Sequence, residues 1–164
     1  MIWVTRAGAK VDRVACPWLI KRFIDPSAQF LFVLPEAVLE TARALGARSY
    51  DAPGADFGHE QETEGETCTF VTLMRAHSLW GKDPALDAVA RIVSHADTKP
   101  GQSAFQAAEG EGLRTIAEGF ALTTPDDHAK LERQFPVYDA LYAAHRKRLG
   151  LAVEPTPGAG GSRT

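Results

Sequence analysis

Three stretches near the start set the architecture of this chain: IWVT at 2–5, VDRVACPWLIKRFI at 11–24 and QFLFVL at 29–34. Ile2 to Thr5 is a short apolar run and predicts a strand. Between 14 and 24, Ala15, Leu19 and Phe23 recur every four residues, with Cys16, Ile20 and Ile24 beside them, which is a broad helical face. Pro17 is tolerated in the first turn of a helix, so the helix is predicted to begin at Ala15 or Cys16, with Val11, Asp12 and Arg13 in the approach to it. Asp25-Pro26 is a stop signal. Gln29 to Leu34 is apolar on both faces and predicts a central, doubly covered strand. Pro35 to Leu45 reads as a helix with Pro at its start and Gly46 just past its end. RSYDA at 48–52 then predicts a third strand. This β-α-β-α-β alternation favours a small parallel sheet.

Further along, Pro53 to Thr67 holds Gly54, Gly58 and Gly65 and the carboxylates Asp56, Glu60, Glu62, Glu64 and Glu66. It reads as a loop long enough to carry function. From Cys68 onward the pattern is helical, at about 69–79, 83–97, 103–120 and 125–148. Asp83-Pro84 pairs an N-cap with Pro at the first helical position, and Thr124-Pro125-Asp126-Asp127 repeats the device with acids in the first turn. The fold class expected is α/β. A small βαβαβ parallel sheet at about 1–53 precedes a helical half of about four helices at about 68–148, all in a single domain over 1–150. Residues 151–164 end in EPTPGAGGSRT, which has little to bury, and a disordered tail is expected there.

The 164 residues are 45% hydrophobic and 24% charged, which excludes wholesale disorder. The net charge of -3 gives no basic excess, and nucleic-acid binding is not expected. The 2 cysteines form neither a CxxC nor a disulfide framework and suit a reducing compartment. No targeting segment and no bilayer-spanning run is visible, so a cytoplasmic protein is expected. A glycine-rich phosphate loop, GxSxG, HExxH and an EF-hand loop are absent from the sequence.

The approach to the first helix follows a parallel strand, at the carboxyl edge where open α/β sheets place ligands. Free amides at a helix N-terminus favour an anion, and Arg6 and Arg13 add forked donors suited to an oxyanion. Cys16, at a helix start beside Arg13, is predicted to have a lowered thiol pKa. The plainer reading has Asp12 paired with Arg13 or capping the helix, with Cys16 in the core. His59, in FGHE, has carboxylates nearby and suits a divalent cation, although its spacing fits no closed zinc pattern. The alternative is a solvated loop histidine. Cys68 is a second thiol at a helix start, and a redox pair with Cys16 requires that the fold bring the two within bridging distance. Measured round its helix, Asp97 falls within ~20° of Leu86 and His95 at ~180°. Asp97 is therefore aimed at the apolar face, where it needs a partner. His95 and Asp97 serve one metal site only if the helix ends between them. His77 and His145 read as surface helix residues, His128 as part of a helix start, and Trp3, Trp18 and Trp80 as core.

Several segments together resemble one family. They are WVTR (3–6), VDRVACPWLIKRFIDPSAQFLFV (11–33), SYDAPGADFGH (49–59), ETCTF (66–70), KDPALDAVARIVSHADT (82–98), EGLRTIAEGF (111–120) and FPVYDALYAAHR (135–146). The chain resembles the C-terminal domain family of the chromate resistance protein ChrB. That resemblance implies a role in chromate resistance, usually beside a chromate efflux transporter. Some members are described as chromate-responsive regulators with an additional N-terminal half. Here only Met1 to Lys10 precede VDR, so operator binding is not expected. The family motifs carry Asp12, Arg13, Cys16, His59, Cys68 and Asp97 onto this chain. Where relatives usually read CTFE, this chain has Val71 in place of the acid.

Three readings follow. In the first, a cytoplasmic domain binds chromate or a metal ion. Arg6 and Arg13 hold the oxyanion, Cys16 or Cys68 senses or reduces it, and His59, His95 and Asp97 take a divalent cation with Asp12 in support. In the second, the domain is a non-catalytic module for a regulator or chromate transporter. In the third, it is a metal-dependent enzyme acting on another substrate.

Overall fold

A computed structural model describes residues 1–153. Strand β1 (Ile2–Arg6) pairs in parallel with β2 (Gln29–Val33), in the register Ile2 to Gln29 through Arg6 to Val33. Strand β3 (Arg48–Ser49) pairs in parallel with the other side of β1, giving the order β2-β1-β3. The central strand is thus β1, and β2 lies at the edge, which corrects the place expected for QFLFV. Both of its faces are nevertheless covered, as expected. Phe30 and Phe32 face the main core, while Leu31 and Val33 pack with Val4, Val38 and Ala42 on the opposite face.

Helix α1 (Val11–Leu19) begins four residues before Ala15, so Asp12 and Arg13 are inside it and Pro17 is well past the first turn. The proline removes a backbone donor, and the helix widens at once into a π turn at Ile20–Ile24. It continues because its inner face is so apolar: Val14, Ala15, Cys16, Trp18, Leu19 and Ile20 are fully buried. Burial on that scale outweighs the roughly 3 kcal/mol cost of an interior proline. Helix α2 (Val38–Leu45) follows a 3-10 turn at Pro35–Ala37 and ends at Gly46, whose φ of 58° is the left-handed cap expected there. Trp3 and Val4 point to opposite faces of the sheet, one into the main core and one against α2.

The 53–67 segment is more than a loop. Strands β4 (Glu60–Glu62) and β5 (Gly65–Thr67) form an antiparallel hairpin. The dense charge of EQETEGET hides it, because no apolar alternation marks the strands. Gly65, at φ 136°, is tightly seated: a Cβ there would meet the Gln102 carbonyl at 2.6 Å. Glu66 N donates to Gln102 O and Ala104 N to Glu66 O, pinning the hairpin to the chain around Ser103. The same pairing keeps 103–107 out of the next helix.

Four helices complete the fold: α3 (Thr69–Ala76), α4 (Pro84–Asp97), α5 (Ala108–Thr123) and α6 (Asp127–Arg148). Asp83 caps α4 by accepting from the Ala85 and Leu86 amides, and Asp126 caps α6 by accepting from Ala129 N. One core cluster joins Trp3, α1, Phe70, Leu86, Val89, Leu113 and Tyr138. Among the described residues, no helix is long and apolar enough to cross a membrane. Of the tail expected at 151–164, residues 154–164 lie outside the described residues, and Leu151 N donates to Arg146 O.

Candidate functional site

Chain direction across the sheet reverses at β1, since β2 is added on one side and β3 on the other. In open parallel sheets, the crevice beyond the carboxyl ends at such a switch point is where ligands bind. Arg6 ends β1 there, and β3 leads into Asp51. Arg6 Nε donates to the Asp51 carbonyl at 2.7 Å and Nη2 to Asp51 Oδ2 at 3.1 Å. Arg13 Nη1 lies 3.5 Å from the same Oδ2 and Nη2 donates to Gly8 O at 3.0 Å. The two arginines do gather at the sheet edge, but around an aspartate.

Asp12 is only 1% exposed, and its carboxylate serves a different helix from its own. Oδ2 accepts from Thr69 N at 2.6 Å, and Oδ1 from Phe70 N at 3.1 Å and the Cys16 thiol at 3.4 Å. It therefore caps α3, whose own N-cap residue, Cys68, makes no side-chain cap bond. Asp97, the last residue of α4, accepts from Asp12 N through Oδ1 at 3.1 Å. Its other oxygen, Oδ2, lies 3.0 Å from His59 Nε2.

His59 is the centre of the arrangement. Its Nε2 faces Asp97 Oδ2 at 3.0 Å, Asp12 Oδ2 at 3.5 Å and Asp51 Oδ1 at 3.6 Å, while Nδ1 is 2.7 Å from Glu66 Oε1. Hydrogen bonds donated to Asp12 and Asp97 push the imidazole pKa up to about 11, against the effect of its burial. Burial, then the nearby Asp97 charge, raise the Asp51 carboxyl, with Arg13, Arg6 and His59 opposing. Asp12, His59 and Asp97 each offer a ligand atom, and these atoms lie within 4.8 Å of one another. With Glu66 on Nδ1, the imidazole is oriented so that Nε2 faces the two aspartates, as a carboxylate on the far nitrogen orients metal-binding histidines.

The family model of the ChrB C-terminal domain matches residues 3–145. The chain belongs to the ChrB C-terminal domain family. It is 34% identical over 151 residues to Protein ChrB of Cupriavidus metallidurans, covering 89% of this chain and 42% of that protein. The chain thus spans about two-fifths of the length of the curated relative it matches. No solved structure matches it.

Two cavities open at the switch point of this ChrB-type domain. One, of about 240 Å³, is lined by Arg6, Lys10, Asp12, Arg13, Asp51, His59 and Asp97. The other, of about 520 Å³, shares Arg6, Asp51 and His59 and extends along residues 52–56 to Glu60 and Thr72. His95 stands elsewhere. Nδ1 accepts from Ala107 N and Nε2 faces Glu111 Oε1, so this residue ties α4 to α5. That placement follows from its angular distance from Asp97 on α4.

The thiols differ from expectation. Cys16 and Cys68 are free and fully buried. Burial first, then the Asp12 charge, raise both thiol pKa values well above the ordinary range. For Cys16 this reverses the predicted lowering. Because α1 starts at Val11, Cys16 lies in its second turn, away from the free amides. Val71 is fully buried in the main core and lines neither cavity.

Asp51 and Glu66 join the site without having been singled out from the sequence. Asp51 carried a signal: it follows β3 at the same carboxyl edge where Arg6 ends β1. Glu66 carried none, being one acid among several in a segment read as loop.

Proposed function

We propose that this domain holds a divalent cation on Asp12, His59 and Asp97 and takes a chromate-like oxyanion on Arg6 and Arg13 beside it, as the ligand-binding part of a chromate-resistance system. The observation that carries this reading is His59, with two carboxylates within 3.5 Å of Nε2 and Glu66 on Nδ1. One imidazole nitrogen and two carboxylate oxygens suit Mn²⁺, Fe²⁺ or Zn²⁺. A divalent cation there adds positive charge beside a buried carboxylate, Asp12, which otherwise has two backbone amides, the Cys16 thiol and His59 to offset its charge. Arg6, Arg13 and Lys10 on the same small cavity supply fixed positive charge for a tetrahedral dianion. The buried, protonated thiols have no part in this reading. Its output passes to a regulator or transporter partner, in keeping with the much longer ChrB relative.

Elemental analysis and calorimetry of the purified chain test it. About one equivalent of Mn²⁺ or Zn²⁺ is expected, lost in His59→Ala, and chromate affinity is expected to fall at least ~10-fold in Arg13→Ala. Background metal content, together with chromate binding that Arg13→Ala leaves unchanged, overturns the reading.

A second reading, a metal-dependent enzyme acting on a small organic molecule, draws support from the 520 Å³ cavity against His59 and Asp51. That volume is in the range of small-molecule sites.

A further inference from the structure

Both guanidinium groups of the site rest on one oxygen. Asp51 Oδ2 is 3.1 Å from Arg6 Nη2 and 3.5 Å from Arg13 Nη1. The other oxygen, Oδ1, is 3.6 Å from His59 Nε2, the nitrogen that Asp12 and Asp97 also face. One carboxylate therefore stands between the cationic half of the site and the acidic half. Its position is built rather than incidental. The Asp51 backbone is at φ 48°, a conformation that residues other than glycine seldom adopt, with Asp and Asn the usual exceptions. Asp51 N donates to Phe57 O at 2.9 Å, its carbonyl accepts from Arg6 Nε, and Thr69 Oγ1 donates to Oδ1 at 3.4 Å.

We infer that Asp51 is an internal counter-ion occupying the oxyanion's place on Arg6 and Arg13, and that a divalent cation on Asp12, His59 and Asp97 draws it away and opens the arginine pair to a tetrahedral oxyanion. The inference rests on the cation reading above and adds a coupling between the two ligands. An oxyanion arriving alone displaces Asp51 from its arginines and leaves a largely buried carboxylate sharing the single positive charge of His59 with Asp12 and Asp97, which is costly. With a divalent cation beside Oδ1, the displaced carboxylate keeps an opposite charge. Each ligand therefore tightens the other by the same factor, as linkage requires.

Calorimetry on the natural chain tests this with Mn²⁺ alone, with molybdate alone (a tetrahedral dianion that does not oxidise thiols), and with molybdate after Mn²⁺ saturation. Molybdate is expected to bind at least ~10-fold more tightly once Mn²⁺ is bound, and Mn²⁺ to gain the same factor from molybdate. In Asp51→Asn, which suits the left-handed backbone, molybdate alone is expected to bind within about threefold of the Mn²⁺-loaded natural chain, with little further gain from Mn²⁺. Glu109→Gln removes a charge that is paired with Arg148 and lines neither cavity, and is expected to keep the natural coupling. Mn²⁺ binding with an unchanged molybdate affinity overturns the role of Asp51 and leaves the cation site standing. Failure of both Mn²⁺ and Zn²⁺ to bind overturns the cation site, and the coupling with it. The natural-chain comparison decides the point even if the Asp51 variant does not fold.

Discussion

The backbone N–H of Asp12 donates to Asp97 Oδ1 at 3.1 Å, while the Asp12 carboxylate accepts from the Thr69 and Phe70 amides at 2.6 and 3.1 Å. The end of α4 thus caps the start of α1, and the first turn of α1 caps α3. Three helix termini meet where His59 stands. Two acids close in space therefore have unequal structural duties. Asp12 is sealed and satisfies two buried donors, whereas Asp97 is partly open and satisfies one.

Asp12→Asn is expected to destabilise the fold by about 3 kcal/mol, because its NH₂ is turned against an amide that needs an acceptor. Asp97→Asn is expected to cost about 1 kcal/mol. Both are expected to weaken Mn²⁺ binding. Urea denaturation gives the first comparison and calorimetry the second. Equal loss of stability in the two variants would show that Asp97 is chiefly a cap.

Glu66 does not touch the proposed cation position, yet it orients the ring of His59. Its oxygen is 2.7 Å from His59 Nδ1, and its own backbone is pinned to Gln102 and Ala104. Glu66→Gln is expected to lower Mn²⁺ affinity by about 10- to 100-fold with little change in thermal stability, since the pair is partly exposed. Unchanged affinity in calorimetry would remove Glu66 from the site.

The thiols are expected to be silent in the native state. Both are fully buried with raised pKa values, so labelling by a disulfide reagent at neutral pH should proceed at the rate of opening rather than of thiolate attack. Replacing both by alanine is expected to cost about 1 kcal/mol per site and to leave molybdate affinity unchanged. Fast native labelling, or lost anion binding, would return the cysteines to the mechanism.

Signals in the sequence differ in how far along the chain they reach. The β-α-β-α-β alternation is carried by contiguous apolar runs, and so were the helices from Thr69 onward. Pro17 misplaced the start of α1, because a local rule gave way to the tertiary burial of Val14, Trp18 and Leu19. The apolarity of Gln29–Val33 signals two covered faces, which an edge strand can also have. Arg6, Arg13, Asp12, His59 and Asp97 were each noticed for local reasons, and the fold brings them to one corner. His95 was grouped with Asp97 by proximity in sequence, although the helix turns it to the opposite side. Asp51 follows a strand at the carboxyl edge, but its role depends on Arg6, Arg13 and His59, which only the fold brings to it.

Acid should loosen the turn that presents Arg13. Asp127, at the start of α6, accepts from the Gly8 and Ala9 amides at 2.8 Å each and pairs with Lys130 at 2.8 Å. Gly8 in turn offers its carbonyl to Arg13. Burial pushes the Asp127 carboxyl upward, but Lys130 and the two amides outweigh it and hold it below the usual 3.8. A carboxyl lowered in the folded state stabilises fully above its unfolded value, and the contribution fades as pH falls through the folded one. The Asp127 contribution is therefore expected to be constant at neutral pH and to shrink below about pH 3.8. Asp127→Asn is expected to cost about 1–3 kcal/mol at pH 7, and its gap from the natural chain to narrow in that acid range. Urea titrations at pH 7 and in the acid range measure that gap. A gap that stays constant would mean that the ionised form of Asp127 is not what holds the Gly8–Ala9 turn.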